Sequence, residues 1–298
     1  MAQTTSIARA KDGCQLSYRI YANPGKPRLA LIHSLALSGA MWGEVIAQLA
    51  GAAEILAYDC RGHGQSERRP GPYSVELFAD DLAALLDSCG WSSAVVAGCS
   101  MGGCVAQAFA ARYPQRVRGL ALVDTTAWYG PTAPNDWKAR GARPAKDGFP
   151  SMMEFQLSRW FSDGFRRAHP DVANEITQVF LANDAASYQA ACEMLGNADL
   201  RAALPAFGMP VSVIVGQEDY ATPVAMAQYL HESIPNSTLR VIPGARHTTP
   251  VECPRDIAAV LGRSAPQNDT DRLSTGIYRR TRLQLSAGLR PCGREFPE

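Results

Sequence analysis

Ser100 lies in the run Gly98-Cys99-Ser100-Met101-Gly102, with an apolar stretch, Ala94 to Ala97, before it and a helical pattern from Met101 after it. A sharp strand-to-helix turn of this kind holds a serine in strained backbone and lifts its hydroxyl above a sheet. Glycine at 98, 102 and 103 leaves room for strand and helix backbones to approach each other. The helix N-terminus adds positive potential at the hydroxyl. These features point to a nucleophile; the plainer alternative is an ordinary glycine-rich turn.

A serine hydroxyl attacks only if a base takes its proton. His247, in Gly244-Ala245-Arg246-His247, follows the late apolar run that ends at Ile242. The other histidines are placed less well: His231 falls within a helical pattern and His169 precedes Pro170. His33 is expected to shape its own loop. An imidazole base needs an acid to fix its tautomer and stabilise its charged form. Asp219, in Gly216-Gln217-Glu218-Asp219 after the run Val211 to Val215, takes that place. Two rivals stay open, Glu218 beside it and Asp124 at the end of the run Leu120 to Val123. The order Ser, Asp, His suits a triad on an open α/β sheet. Acyl transfer also needs donors aimed at a developing oxyanion. The backbone N–H groups of Met101 and of Leu35, in His33-Ser34-Leu35-Ala36, are the candidates. Cys99 holds the spacer position and is expected to face away. The segment Asp59 to Ser66 is expected to form a tight structural loop, braced by its own charged pair.

The elements that must position these groups are legible as alternation. Ile7 to Ala10 and Cys14 to Tyr21 flank the turn signal Asp12-Gly13, which predicts a hairpin. Short apolar runs at Leu29–Ile32, Ile55–Tyr58, Ala94–Ala97, Leu120–Val123, Val211–Val215 and Leu239–Ile242 read as strands buried on both faces. Helical patterns at Trp42–Leu49, Ser74–Ser88, Met101–Arg112, Pro223–Ser233 and Pro254–Leu261 lie between or after them. The fold class is therefore α/β, a mostly parallel central sheet flanked by helices. Residues 1–126 and 206–263 are assigned to this core. Residues 127–205 show helical patterns rich in Trp, Phe and Met and are read as a cap inserted between two strands, or else as extra core helices. Residues 264–298 are polar and arginine-rich and are expected to be poorly ordered.

Bulk properties exclude several classes. The 298 residues carry a formal net charge of +1, which gives no reason to expect nucleic acid or an anionic membrane as partner. No apolar window is long enough for a membrane span, and Met1 to Gly13 lacks a signal-peptide core. A cytoplasmic location is the default. The eight cysteines are scattered without a CxxC pair and read as reduced core thiols. No metal-ligand spacing occurs, so neither metal nor organic cofactor is expected. Oligomeric state is not legible.

These residues together resemble the α/β-hydrolase superfamily from about Ser6 to Gly262. Within it the chain is most similar to the 3-oxoadipate enol-lactonases. That likeness rests on Ser34-Leu35 with Met41-Trp42, on Gly71-Pro72-Tyr73-Ser74, on Ser158-Arg159-Trp160-Phe161 with Gly164-Phe165, and on Ala198-Asp199-Leu200-Arg201. The loop His33-Ser34-Leu35-Ala36 stands where that group usually has Asn-Ser-Leu-Gly. The resemblance implies hydrolysis of a small ester or lactone through an acyl-enzyme, with the enol-lactone of aromatic catabolism as lead substrate. It places Trp128, Arg159 and Trp160 near the substrate, with Arg159 or Arg166 pairing with a free carboxylate. A general carboxylesterase, a cofactor-free perhydrolase, an acyltransferase and a carbon–carbon hydrolase would use the same triad. A non-catalytic binding protein on this scaffold is the distant alternative.

Overall fold

In the computed structural model, residues 3–264 are described, and the tail expected from residue 264 onward otherwise lies outside them. The strands are β1 (Gln3–Arg9), β2 (Gln15–Tyr21), β3 (Arg28–Ile32), β4 (Glu54–Tyr58), β5 (Ala94–Cys99), β6 (Val117–Val123), β7 (Val211–Gly216) and β8 (Thr238–Ile242). They form one sheet in the order β1-β2-β4-β3-β5-β6-β7-β8. β1 and β2 pair antiparallel, as do β2 and β4, and every later pairing is parallel. The hairpin turns at Gly13, whose φ of 84° is easy only for glycine, while the Asp12 carboxylate accepts the Cys14 N–H at 3.0 Å.

Helices α1 (Gly43–Gln48), α2 (Val75–Ser88) and α3 (Met101–Arg112) follow β3, β4 and β5. Five more lie between β6 and β7: α4 (Ala133–Asp147), α5 (Met153–Trp160), α6 (Asp163–Ala168), α7 (Pro170–Leu181) and α8 (Ala185–Asn197). α9 (Val224–Ser233) joins β7 to β8, and α10 (Thr249–Glu252) and α11 (Pro254–Ser264) close the described chain. Ser74 caps α2 by accepting the Leu77 N–H at 3.1 Å, which sets where that helix starts.

Every residue of β5 is buried, because β3 and β6 flank it and helices cover both faces. β8 departs from the expected double burial: only Ile242 is buried and Val241 is exposed. It has β7 as its single neighbour, and an edge strand needs less apolar cover. The brace of the Asp59–Ser66 loop also differs from expectation. Arg61 pairs outside the segment, by a two-pronged contact to Asp81 of α2 at 2.6 Å and a contact to Asp12 of the hairpin turn at 2.8 Å. Asp59 instead accepts backbone N–H groups of Gly39 (2.8 Å) and Gln65 (2.9 Å).

The helical insertion is sewn to the loop after β8. The Arg246 guanidinium donates to the carbonyls of Ser158 and Phe161, both at 2.9 Å, and Thr248 donates its N–H and hydroxyl to Trp160 O at 3.1 and 2.9 Å. Edge-on contacts among Phe149, Trp160, Phe180 and Tyr188 fill the insertion's interior.

Candidate active site

β5 ends at Cys99 and α3 begins at Met101, so a single residue makes the turn. Ser100 takes φ 54° and ψ −114°, a region costing non-glycine residues about 1–3 kcal/mol. The surroundings hold it there. Its N–H donates to Val123 O at 2.9 Å, and its carbonyl accepts from Gly103 N (2.9 Å) and the Thr125 hydroxyl (2.7 Å). A Cβ on Gly98 would sit 2.0 Å from Gly102 O, and one on Gly102 would sit 2.3 Å from Ile32 O. Small residues are required there by backbone contact.

His247 reaches this serine from the loop after β8. Its Nε2 lies 2.9 Å from Ser100 Oγ and its Nδ1 2.8 Å from Asp219 Oδ2. Asp219 also accepts the Ala221 and Thr222 N–H groups at 2.7 and 2.9 Å and the Thr222 hydroxyl at 2.8 Å. Burial pushes the Asp219 carboxyl up, but the facing imidazole and these donors outweigh it and hold it below the ordinary value. An ionised acceptor at Nδ1 fixes the proton there and leaves Nε2 free to accept from the serine.

The rival acids face elsewhere. Asp124 accepts the Thr249 N–H (2.9 Å), the Thr249 hydroxyl (2.6 Å) and the Gly216 N–H (3.1 Å), with no hydrogen bond to His247. Burial and the Asp219 charge push its carboxyl well above the usual range. It ties the end of β7 to the chain just past His247. Glu218 lies 3.6 Å from Arg246, towards solvent. Cys99 turns below the sheet end, its Sγ 4.0 Å from Asp124 Oδ2.

The Met101 and Leu35 N–H groups have no acceptor within the described chain, and Leu35 lines the space over Ser100. The loop carrying Leu35 is shaped by His33. Its Nε2 accepts the Cys60 N–H at 2.9 Å, so Nδ1 donates to Ser34 O at 2.7 Å, and burial lowers its pKa.

A cavity of about 50 Å³ lies over Ser100 and His247. Its walls include Ser34, Tyr129, Trp137, Arg140, Arg159 and Trp160. Arg140 is half-buried and donates only to neutral groups, the Tyr188 hydroxyl (3.2 Å) and Gln156 Oε1 (3.3 Å), with its guanidinium 4.7 Å from the Trp137 ring centre. Arg159 donates to Tyr220 O at 2.7 Å. Burial and the Arg140 charge hold its guanidinium below the ordinary arginine value. Among the described residues neither arginine has a carboxylate at ion-pair distance.

Two expected substrate contacts lie elsewhere. Trp128 is not in the cavity wall; its ring carries the Arg201 guanidinium at 3.7 Å, and its backbone bridges to Asp199. Arg166 pairs with Asp163 (2.7 Å) and Glu154 (3.8 Å), away from the cavity. Conversely, sequence reasoning missed Tyr129, Trp137, Arg140 and Gln156. The one available signal was the spacing of Trp137 and Arg140, which puts them on one face of a helix. No group of three or more His, Cys, Asp or Glu among the described residues is arranged to hold a metal.

Residues 27–253 match the alpha/beta hydrolase fold family. The chain belongs to that family. This α/β hydrolase is 33% identical to 3-oxoadipate enol-lactonase 2 of Acinetobacter baylyi over 240 residues, covering 80% of the chain and 89% of that relative. Its fold superposes on the crystal structure of the enol-lactonase from Burkholderia xenovorans LB400 with a TM-score of 0.83 and 31% identity, over 87% of this chain and 99% of that one. A malate-bound thermophilic esterase from Thermogutta terrifontis gives a TM-score of 0.81 at 29% identity, over 89% and 100% of the two chains. No helix among the described residues is long and apolar enough to cross a membrane.

Proposed function

We propose that this α/β hydrolase cleaves a small lactone or ester bearing a free carboxylate, with 3-oxoadipate enol-lactone as lead substrate. The observation that carries the reading is the pair Arg140 and Arg159 in the cavity over Ser100, two cations without an acidic partner. An enclosed guanidinium favours an anionic ligand, and its planar fork suits a carboxylate. The enol-lactonases among the relatives, and the malate bound to the Thermogutta terrifontis esterase, support the same class.

In this reading Ser100 Oγ attacks the lactone carbonyl while His247 Nε2 takes its proton and Asp219 steadies the imidazolium. The Met101 and Leu35 N–H groups hold the oxyanion. The ring C–O bond then breaks, and His247 returns the proton to the leaving enol oxygen. The enol becomes the ketone by tautomerisation. Water, deprotonated by His247, attacks the acyl carbonyl, and the acyl C–O bond breaks as His247 returns the proton to Ser100 Oγ, freeing the acid.

The test is loss of enol-lactone absorbance on adding the purified protein. Loss with the wild type and none with Ser100→Ala is expected. Arg140→Leu should raise KM for the lactone about 10- to 100-fold, the range of a charged hydrogen-bonded contact, with a much smaller effect on a neutral aryl ester. Aryl-ester turnover without lactone turnover would replace this reading with a general carboxylesterase, which the esterase neighbour favours.

A further inference from the structure

Tyr129 stands between two spaces. On one side is the cavity of about 50 Å³ over Ser100. On the other is a surface groove of about 340 Å³, walled by Thr126, Trp128, Gly130, Met226 and Tyr229, between the chain after β6 and helix α9. Tyr129 lines both. The groove is largely apolar. The Arg201 charge at its rim lies over the Trp128 ring and is neutralised by Asp199 at 2.6 Å. Nothing in the proposed mechanism uses this groove.

Tyr129 is the residue that lines both spaces. The Tyr129 ring meets Trp137 edge-on, with centres 4.9 Å apart, and its hydroxyl interacts with Ser100 and the Cys104 thiol. The chain before it is pinned where the Thr126 hydroxyl bonds Trp128 N (3.2 Å) and O (2.9 Å). The chain after it is Gly130, at φ 103°, where an added Cβ would meet nothing within 4 Å. Ligand pockets usually measure about 300–1,000 Å³. The cavity over Ser100 alone falls far short of that range, whereas the groove on the other side of Tyr129 reaches it by itself.

We infer that Tyr129 sets the upper size limit of the substrate: it shuts the apolar groove off from Ser100, and with the ring removed the groove becomes a subsite for an apolar chain of the ester. This rests on the serine-hydrolase reading above and adds to it which part of the site selects against length. An apolar groove open to Ser100 gains from each methylene that enters it, about 0.8 kcal/mol per buried CH₂, so even partial entry of a six-carbon extension changes the preference by more than tenfold.

The experiment compares kcat/KM for p-nitrophenyl acetate and octanoate, and for ethyl and octyl acetate, in the wild type, Tyr129→Ala and Tyr129→Phe. The wild type and Tyr129→Phe should both prefer the short ester. Tyr129→Ala should shift the long-to-short ratio at least tenfold in one series, and Met226→Trp added to it should reverse that shift by filling the groove. A ratio unchanged within twofold in both series, or a wild type that already takes long chains as well as short ones, overturns the size limit and leaves the hydrolase reading standing. A wild type that turns over no ester and takes no fluorophosphonate label at Ser100 overturns both. If Tyr129→Ala does not fold, Tyr129→Leu still removes most of the ring and carries the same comparison.

Discussion

Asp219 and Asp124 are both buried carboxylates at neighbouring strand ends, and the sequence allowed either to serve His247. The hydrogen bonds separate them. Asp219 meets Nδ1 of the imidazole at 2.8 Å, whereas Asp124 takes its N–H and hydroxyl donors from Gly216 and Thr249. Asp219→Asn should therefore lower kcat about 10³- to 10⁴-fold, the scale of losing the correct tautomer. Asp124→Asn should cost far less in kcat and about 1–3 kcal/mol in stability, since it upsets buried hydrogen bonds. Aryl-ester kinetics and urea unfolding of both variants check this; an equal loss of kcat would sink the distinction. The triad candidates were legible because each follows an apolar run and a turn. Arg140 and Tyr129 were not. Neither stands in a local motif, and only the packing of α4 and of the chain after β6 over Ser100 gives each a place in the cavity.

At the level of elements, the turn between β5 and α3 stores strain at the proposed nucleophile. Ser100 sits at φ 54°, where a Cβ is disfavoured, and the hydrogen bonds of its N–H to Val123 O and of its carbonyl to Gly103 and Thr125 hold it there. Glycine normally weakens a fold relative to alanine, by roughly 0.5–1 kcal/mol in regular elements. Here the order should invert: Ser100→Gly should be more stable than Ser100→Ala by about 1 kcal/mol, because only glycine adopts this φ freely. Thermal unfolding of the two variants reads the difference, and an Ala variant at least as stable as the Gly variant would refute it. The strand runs themselves were legible to within a few residues. The double burial expected of β8 was not met, because apolar content does not reveal which strand lies at an edge. The partner of Arg61 was equally hidden, since Asp81 lies 20 positions away on α2.

For the whole molecule, several carboxyls are held below their ordinary value of 3.8. Asp219 is held so by the imidazole and its donors, Asp12 by Arg61, Asp80 by Tyr113 and Arg112, and Asp184 by the Ser187 N–H, each against the cost of burial. A group with a depressed folded pKa stabilises fully above its unfolded pKa and loses that contribution as pH falls through the folded one. The share of stability carried by these depressed carboxyls should hold from neutrality to about pH 5 and be lost below about pH 4, while Asp124, whose carboxyl burial pushes up, is relieved of its burial cost as it protonates and offsets part of that loss. The surface pairs give little of this, so the drop should track Asp219 more than Asp80. Urea midpoints across that range, for the wild type and Asp219→Asn, test it; the variant should show the shallower fall.

The stitching of Arg246 and Thr248 to the carbonyls of residues 158, 160 and 161 has a consequence for anyone recombining this fold. The segment at residues 158–161 and the loop bearing His247 are joined as one structural unit, although about 85 positions separate them. A chimera that imports a relative's helices but keeps this loop puts foreign main-chain acceptors under the guanidinium, and the histidine moves with the mismatch. Crossovers drawn at strand ends alone would cut through that unit; those that carry residues 246–248 with the helices would keep it whole.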